Sequence, residues 1–310
     1  MNKFSELVDG GTPQTQMKKK RTLVAICITA ALIAAMLLFL AIFGLASLLA
    51  KDKKTDLEAE SVVSIGATFK TTISEDKLYS GSLLVLDGNH PYNGNANVIA
   101  IESHTNRPTH QVEGNTQNIY TVLDKVNFKA TTAAITAFDK MLVQFLKNGD
   151  DNIIIANAYD EGSKSVQDPI YSTGEAFELK YYHNYDKKTN PNDKRSLYGA
   201  SAPYTWIYEN AHKYGFVNIG ERSSVFRYVG VAHSTAMKQK NLSFEQYIES
   251  IKTYTPDAAL KVSVSGESYA IYYLAKDSEH ILPKDYEYTV SGNNVDGYII
   301  TVNLSRPASN

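Results

Sequence analysis

The sequence predicts an α+β protein behind one membrane-spanning helix, on three observations. Residues 22–50 are an unbroken apolar run. Helical periodicity recurs at 130–147, 206–214 and 243–254 between short strand-like stretches, and the chain beyond Pro256 alternates with period two.

The run TLVAICITAALIAAMLLFLAIFGLASLLA exceeds the ~20 residues that cross a bilayer core of ~30 Å. It also overshoots the roughly 7–15 apolar residues of a cleavable signal peptide, so it is expected to anchor the chain. Lys18, Lys19, Lys20 and Arg21 precede it, whereas Lys51, Lys53 and Lys54 follow it interspersed with Asp52 and Asp56. This positive-inside bias puts 1–21 in the cytoplasm as a polar tail and the folded part outside the cell, beyond a stalk at 51–77. Cys27, the single cysteine, falls inside the apolar run. An exported part with no thiol to cross-link fits the cell membrane of a Gram-positive bacterium better than a eukaryotic secretory route.

At 310 residues, 43% of them hydrophobic, the chain can bury a substantial core. A net charge of -2, with no basic block in the folded part, argues against nucleic-acid binding, which needs cations to neutralise phosphates. The 21 tyrosines suit half-buried strands, and polar-tipped rings of this kind also line carbohydrate or peptide grooves.

Taken in order, LYSGSLLVLDGNHPYNG predicts a strand over 83–86 stopped by Asp87, Gly88, Asn89 and Pro91. Further strands are expected at 97–101 and 117–123. Ile135, Phe138, Leu142, Phe145 and Leu146 then mark one face of a core helix over 130–147, with Gly149 as its stop. The near-continuous apolar stretch NIIIANAY at 152–159 reads as a central strand, and polar 184–201 as a surface loop. Trp206, Ile207, Ala211 and Tyr214 define an amphipathic helix ended by Gly215, where a left-handed residue is wanted. Helices follow at 231–238 and 243–254, the second capped by Ser243. Strands at 260–265, 269–275, 286–290 and 297–304, with the hairpin signal SGNNVDG between the last two, make 256–310 a small β appendage.

WIYENAHKYGF at 206–216, FRYVG at 226–230 and His233 resemble the VanY-type D-alanyl-D-alanine carboxypeptidases, zinc enzymes that trim the peptidoglycan stem peptide. In that family a tryptophan helix ending in Tyr-Gly-Phe leads to Glu-Pro-Trp-His and then to an aromatic, Arg, Tyr, Val and Gly. YSTGEAFEL at 171–179 is similar to the family's His-x-x-Gly-x-Ala-x-Asp, with Gly174 and Ala176 in register. The resemblance covers 78–255 and implies a mostly antiparallel sheet with packed helices.

It also implies where the chemistry would lie. The zinc ligands fall at Tyr171, Glu178 and Val225 and the general base at Arg222. The family's Ser-Gly-Tyr-Arg, whose arginine holds the substrate carboxylate, reads Asn157, Ala158, Tyr159 and Asp160. Valine has no lone pair, and tyrosine must lose a proton of pKa about 10 to bind metal. Arginine cannot accept a proton, and its charge at roughly 5 Å from a dication is repelled by several kcal/mol even at an effective dielectric near 20. Asp160 would repel the substrate carboxylate. The resemblance therefore implies a degenerate cleft of Tyr159, Asp160, Tyr171, Glu178, Arg222 and Val225. No catalytic residue, zinc or other cofactor is expected, and the cleft binds a stem peptide or an envelope protein. Arg222 either holds a peptide carboxylate or pairs with Glu178. The alternative is an active zinc carboxypeptidase with displaced ligands among Glu178, Glu221, His183, His212 and His233. Against it, FRYVG fixes the register, and a slip of one residue turns every side chain to the other face. His212 is expected exposed on its helix and His233 structural, and the chain has no GxSxG, P-loop or HExxH.

Overall fold

The computed structural model describes residues 61–101, 109–112, 115–118, 120–122, 127–147, 153–159, 169–181, 202–220 and 223–308. The apolar run 22–50, the loop 184–201, Asp160 and Arg222 lie outside them. Among the described residues no helix is long and apolar enough to cross a membrane.

The chain begins with short strands β1 (Val62–Val63) and β2 (Thr68–Thr71), then β3 (Ile99–Ala100), β4 (Thr109–Val112), β5 (Asn115–Asn118), β6 (Tyr120–Val122) and β7 (Lys129–Ala130). Helix α1 (Thr132–Leu146) starts at Thr131, whose hydroxyl accepts from the Ala134 amide at 3.2 Å. Strands β8 (Ile153–Asn157) and β9 (Ala176–Tyr181) lead to α2 (Ala202–Asn210), which tightens into a 3-10 turn over Ala211–Tyr214. Gly215 ends it at φ 91°. A Cβ there would lie 2.7 Å from the Tyr228 ring and 3.1 Å from the Gly230 backbone, so only glycine fits. Next come β10 (Phe216–Asn218), β11 (Val225–Tyr228), α3 (Val231–Lys240) and α4 (Phe244–Ile251). Ser243 and Gln246 form a reciprocal capping box at the start of α4. The chain closes with β12 (Ala259–Val264), β13 (Glu267–Ala275), β14 (His280–Pro283), β15 (Tyr286–Gly292) and β16 (Gly297–Pro307).

Two five-stranded sheets organise these elements, β10-β11-β9-β8-β6 and β1-β12-β13-β16-β15. Among the described residues all pairings are antiparallel except β6 with β8, so the architecture is mixed and mostly antiparallel. On the first sheet Phe177, Phe216 and Phe226 face α1, with the Phe138 ring 5.0 Å from Phe177 and 6.2 Å from Phe216. Each such ring is almost fully buried and contributes about 1.5–3 kcal/mol by leaving water. The second sheet packs Ile271, Ile299 and Val262 with Tyr247, Ile248 and Ile251 of α4.

Three expectations change. Residues 83–86 form no strand. Leu83 and Leu84 are fully buried, but the Leu83 amide donates to Ser291 Oγ (3.0 Å) and the Val85 amide to Asn293 O (3.0 Å). The segment is an irregular strap across the β15–β16 turn. The stretch expected as a stalk is built into the fold from residue 62 onward: Val62 pairs with Leu260, and β2 pairs with β14. The C-terminal strands are no separate appendage, because they share one core with Ile65, Leu78, Leu83, α3 and α4, and Glu60–Asn310 form one compact unit. Period-two alternation marks a strand without naming what covers its apolar face.

Candidate functional site

The face of the first sheet turned away from α1 carries the positions that the resemblance singled out. Along β9 the side chains alternate: Phe177 and Leu179 enter the phenylalanine core, so Ala176, Glu178 and Lys180 take the other face. Glu178 lies directly opposite Val225 of β11 and opposite Asn157 of β8, and Arg227 lies opposite Ala176. Asn157, Glu178 and Val225 thus make one row across three strands. Tyr171 reaches this row from a 3-10 turn over Pro169–Thr173. The turn reverses at Gly174, φ 74°, where a Cβ would collide with Val98 Cγ1 at 2.3 Å. The structure therefore brings Tyr171, Glu178 and Val225 together.

Their surroundings are apolar. Tyr171 is buried with Ile170 and Ala176, and Val225 and Ile219 pack on them. Glu178 is half-buried; its Oε1 is 3.7 Å from Lys180 Nζ and accepts from Ser224 Oγ at 3.4 Å. The segment before Val225 is fixed by hydrogen bonds. Asn218 Nδ2 donates to Ser223 O (2.7 Å) and Val225 O (2.9 Å), Asn218 Oδ1 accepts from the Ser223 amide (3.1 Å), and Tyr208 OH donates to Ser223 O (2.8 Å). Asn218 and Tyr208 were not singled out in the sequence; Asn218 bonds within seven residues and Tyr208 fifteen residues on.

A zinc site needs three or four N, S or O donors converging at about 2.0–2.3 Å. The residues that meet here do not fit one. Val225 offers no donor, Tyr171 sits in the apolar cluster, and Glu178 brings a carboxylate that already faces Lys180. Among the described residues no three His, Cys, Asp or Glu side chains are grouped to hold a metal. His233 is a packing residue: Nδ1 is 2.7 Å from Tyr247 OH and Nε2 is 2.7 Å from Thr301 Oγ1. Burial pushes its pKa down to about 3, so the ring stays neutral. His212, expected exposed, is half-buried, and burial lowers its pKa. It lies in the 3-10 turn Ala211–Tyr214 that follows α2.

One feature of this face went unforeseen. Arg227 is 2% exposed; its Nη2 donates to Ser82 O at 3.1 Å and its guanidinium lies 4.5 Å over the Phe244 ring. Glu175, 9% exposed, precedes β9. Burial raises its carboxyl to about 7, and the Arg227 charge opposes that rise. Burial, and after it the charges of Glu175 and Tyr159, raise the Tyr92 pKa. Tyr159 is half-buried and accepts from the Lys129 amide through its carbonyl at 2.8 Å. The available signal was an arginine between Phe226 and Tyr228 in a buried strand, which demands a counter-charge.

The raised Glu175 pKa fixes a pH dependence. A carboxyl whose folded pKa lies above its unfolded value stabilises fully below the unfolded value and loses that contribution as pH rises through about 7. Glu175→Gln is expected to add roughly 2–3 kcal/mol of stability above neutral pH and nothing near pH 4, read from urea midpoints across the range.

No protein-family profile matches the chain. Over 253 residues it is 28% identical to a D-alanyl-D-alanine carboxypeptidase of Enterococcus faecium, covering 76% of this chain and 79% of that protein. In fold it is similar to the vancomycin-resistance D,D-dipeptidase VanXYg, solved with a D-Ala-D-Ala phosphinate analogue, with a TM-score of 0.57 and 18% identity over 77% of this chain and 100% of that one. The chain therefore carries a domain of the D-alanyl-D-alanine peptidase fold. It is a relative of the D-alanyl-D-alanine carboxypeptidases, as the residues around Trp206 and Phe226 implied.

Proposed function

We propose that this domain binds a peptidoglycan stem peptide, or an envelope protein, in a cleft that no longer hydrolyses it, and that residues 22–50 hold it on the outer face of a Gram-positive cell membrane. The observation that carries this reading is the convergence of Tyr171, Glu178 and Val225 on an apolar cluster. Where the resemblance places a water-activating metal, the side chains pack instead. The name of the Enterococcus faecium relative supports a ligand of the D-alanyl-D-alanine class. The likeness in fold to VanXYg supports a binding role for this face, and the lack of a converging donor set at Tyr171, Glu178 and Val225 supports the absence of hydrolysis.

The test is release of D-alanine from a stem pentapeptide by the full-length chain, with added zinc and with chelator as control. No release is expected under either condition. Chelator-sensitive release would favour an active zinc carboxypeptidase with displaced ligands. The inactive cleft is then tested for binding by calorimetry with the same pentapeptide, for which saturable heat is expected.

A further inference from the structure

A second candidate binding site lies on the C-terminal sheet. A groove of about 450 Å³, within the size range of small-ligand pockets, is lined by Tyr269, Tyr286, Glu287, Tyr288, Asn303 and Arg306 among others. Tyr269, Asn303 and Glu287 sit side by side on three neighbouring strands. Glu267 ties the floor together. It accepts from Arg306 Nε at 3.0 Å and Nη2 at 2.7 Å, and from Tyr269 OH.

This network is exposed, with 58% of the Arg306 side chain accessible, and exposed ion pairs contribute little to stability. Its physical effect is to fix the orientation of donors and rings in the groove. Nη1 of Arg306 has no protein partner among the described residues, which leaves one donor edge free. Glu267 and Arg306 cancel each other's charge, and Glu287 leaves the rim slightly acidic, so an anionic ligand is disfavoured. What remains are aromatic rings, a planar amide, a planar cation already neutralised and hydroxyl groups. Rings of this kind present an apolar face with a polar tip.

We propose that this groove binds a neutral oligosaccharide, with tyrosine faces against the C–H faces of the sugar and with Asn303 and Arg306 donating to its hydroxyls. A basic peptide, drawn by Glu287, is the competing occupant. The two differ in charge and in their dependence on stacking.

The experiment is calorimetric titration of the full-length protein with an N-acetylglucosamine tetrasaccharide and, separately, with a short lysine-rich peptide. The tetrasaccharide is expected to give saturable heat, weakened about tenfold by Tyr286→Ala and by Asn303→Ala and retained by Tyr286→Phe, which keeps the ring. Thermal midpoints of the variants show that each still folds. Absence of saturable heat up to about 10 mM sugar, equal binding by the alanine variants, or binding of the basic peptide in preference to the sugar overturns the assignment. None of these outcomes bears on peptide binding at Tyr171, Glu178 and Val225, which share no residue with this groove, so the two proposals fail separately.

Discussion

Replacing Arg227 with Met is expected to destabilise the domain by about 1.5–3 kcal/mol, the loss typical of a hydrogen bond made by a charged group, with a further deficit that appears only where Glu175 is ionised. The guanidinium is 2% exposed, donates to Ser82 O and lies over Phe244. Its charge opposes the rise in the Glu175 pKa. Without it, the Glu175 carboxyl must rise further. Because a raised carboxyl pKa means stability present at low pH and lost as pH climbs, the deficit of Arg227→Met should be larger near pH 8.5 than near pH 5. Adding Glu175→Gln to the same chain removes the uncompensated carboxylate. The double variant should recover the part of the loss that appears above neutral pH, because it carries no buried carboxylate left without a nearby cation. Urea unfolding of the two single variants and the double one measures this. A deficit independent of pH would mean that Arg227 acts through Ser82 and Phe244 alone.

Restoring donors should create a zinc site where the resemblance places one. Glu178 and Val225 are direct partners across an antiparallel pair, a geometry in which Cβ atoms lie about 4.5–5.5 Å apart and two side chains can reach one ion. Tyr171 packs in the same cluster as Val225. Tyr171→His with Val225→His and the existing Glu178 carboxylate would supply the three ligands of an open zinc site. The expected result is one zinc bound per chain and, at about a hundredfold excess over Kd, a stabilisation near 2.7 kcal/mol, seen as a zinc-dependent rise in thermal midpoint absent from the parent. Failure of the folded variant to bind zinc would show that these three positions do not share a centre. The substitutions supply no general base, so gain of D-alanine release is not expected from them alone.

Much of the fold was legible because its elements are locally encoded. The apolar stripe of α1, the left-handed stop at Gly215, the Ser243 cap and the hairpin joining β15 to β16 all depend on residues within a few positions of one another. The motif spacing drew attention to Tyr171, Glu178 and Val225, and antiparallel pairing sets Glu178 against Val225. The strap at 83–85 was misread as a strand because its residues have strand composition, while its partners, Ser291 and Asn293, lie some two hundred positions away. The Glu175–Arg227 relation was missed for the same reason: burial, which gives both charges their meaning, depends on Phe244 and on the loop around Ser82.

By itself, then, the sequence determined most of the helices and the C-terminal strands, the likeness to D-alanyl-D-alanine carboxypeptidases, and which residue types stand at the positions that the resemblance singles out. Side-chain chemistry and short-range periodicity suffice for that. Only the tertiary structure decided that residues from 62 onward and the C-terminal strands share one core, that the cleft positions are packed by Ile170, Ala176 and Ile219, and that Glu267 orders a tyrosine-lined groove on the second sheet. Each of these rests on contacts between segments far apart in the chain, and which segments meet is set by burial of apolar surface across the whole domain.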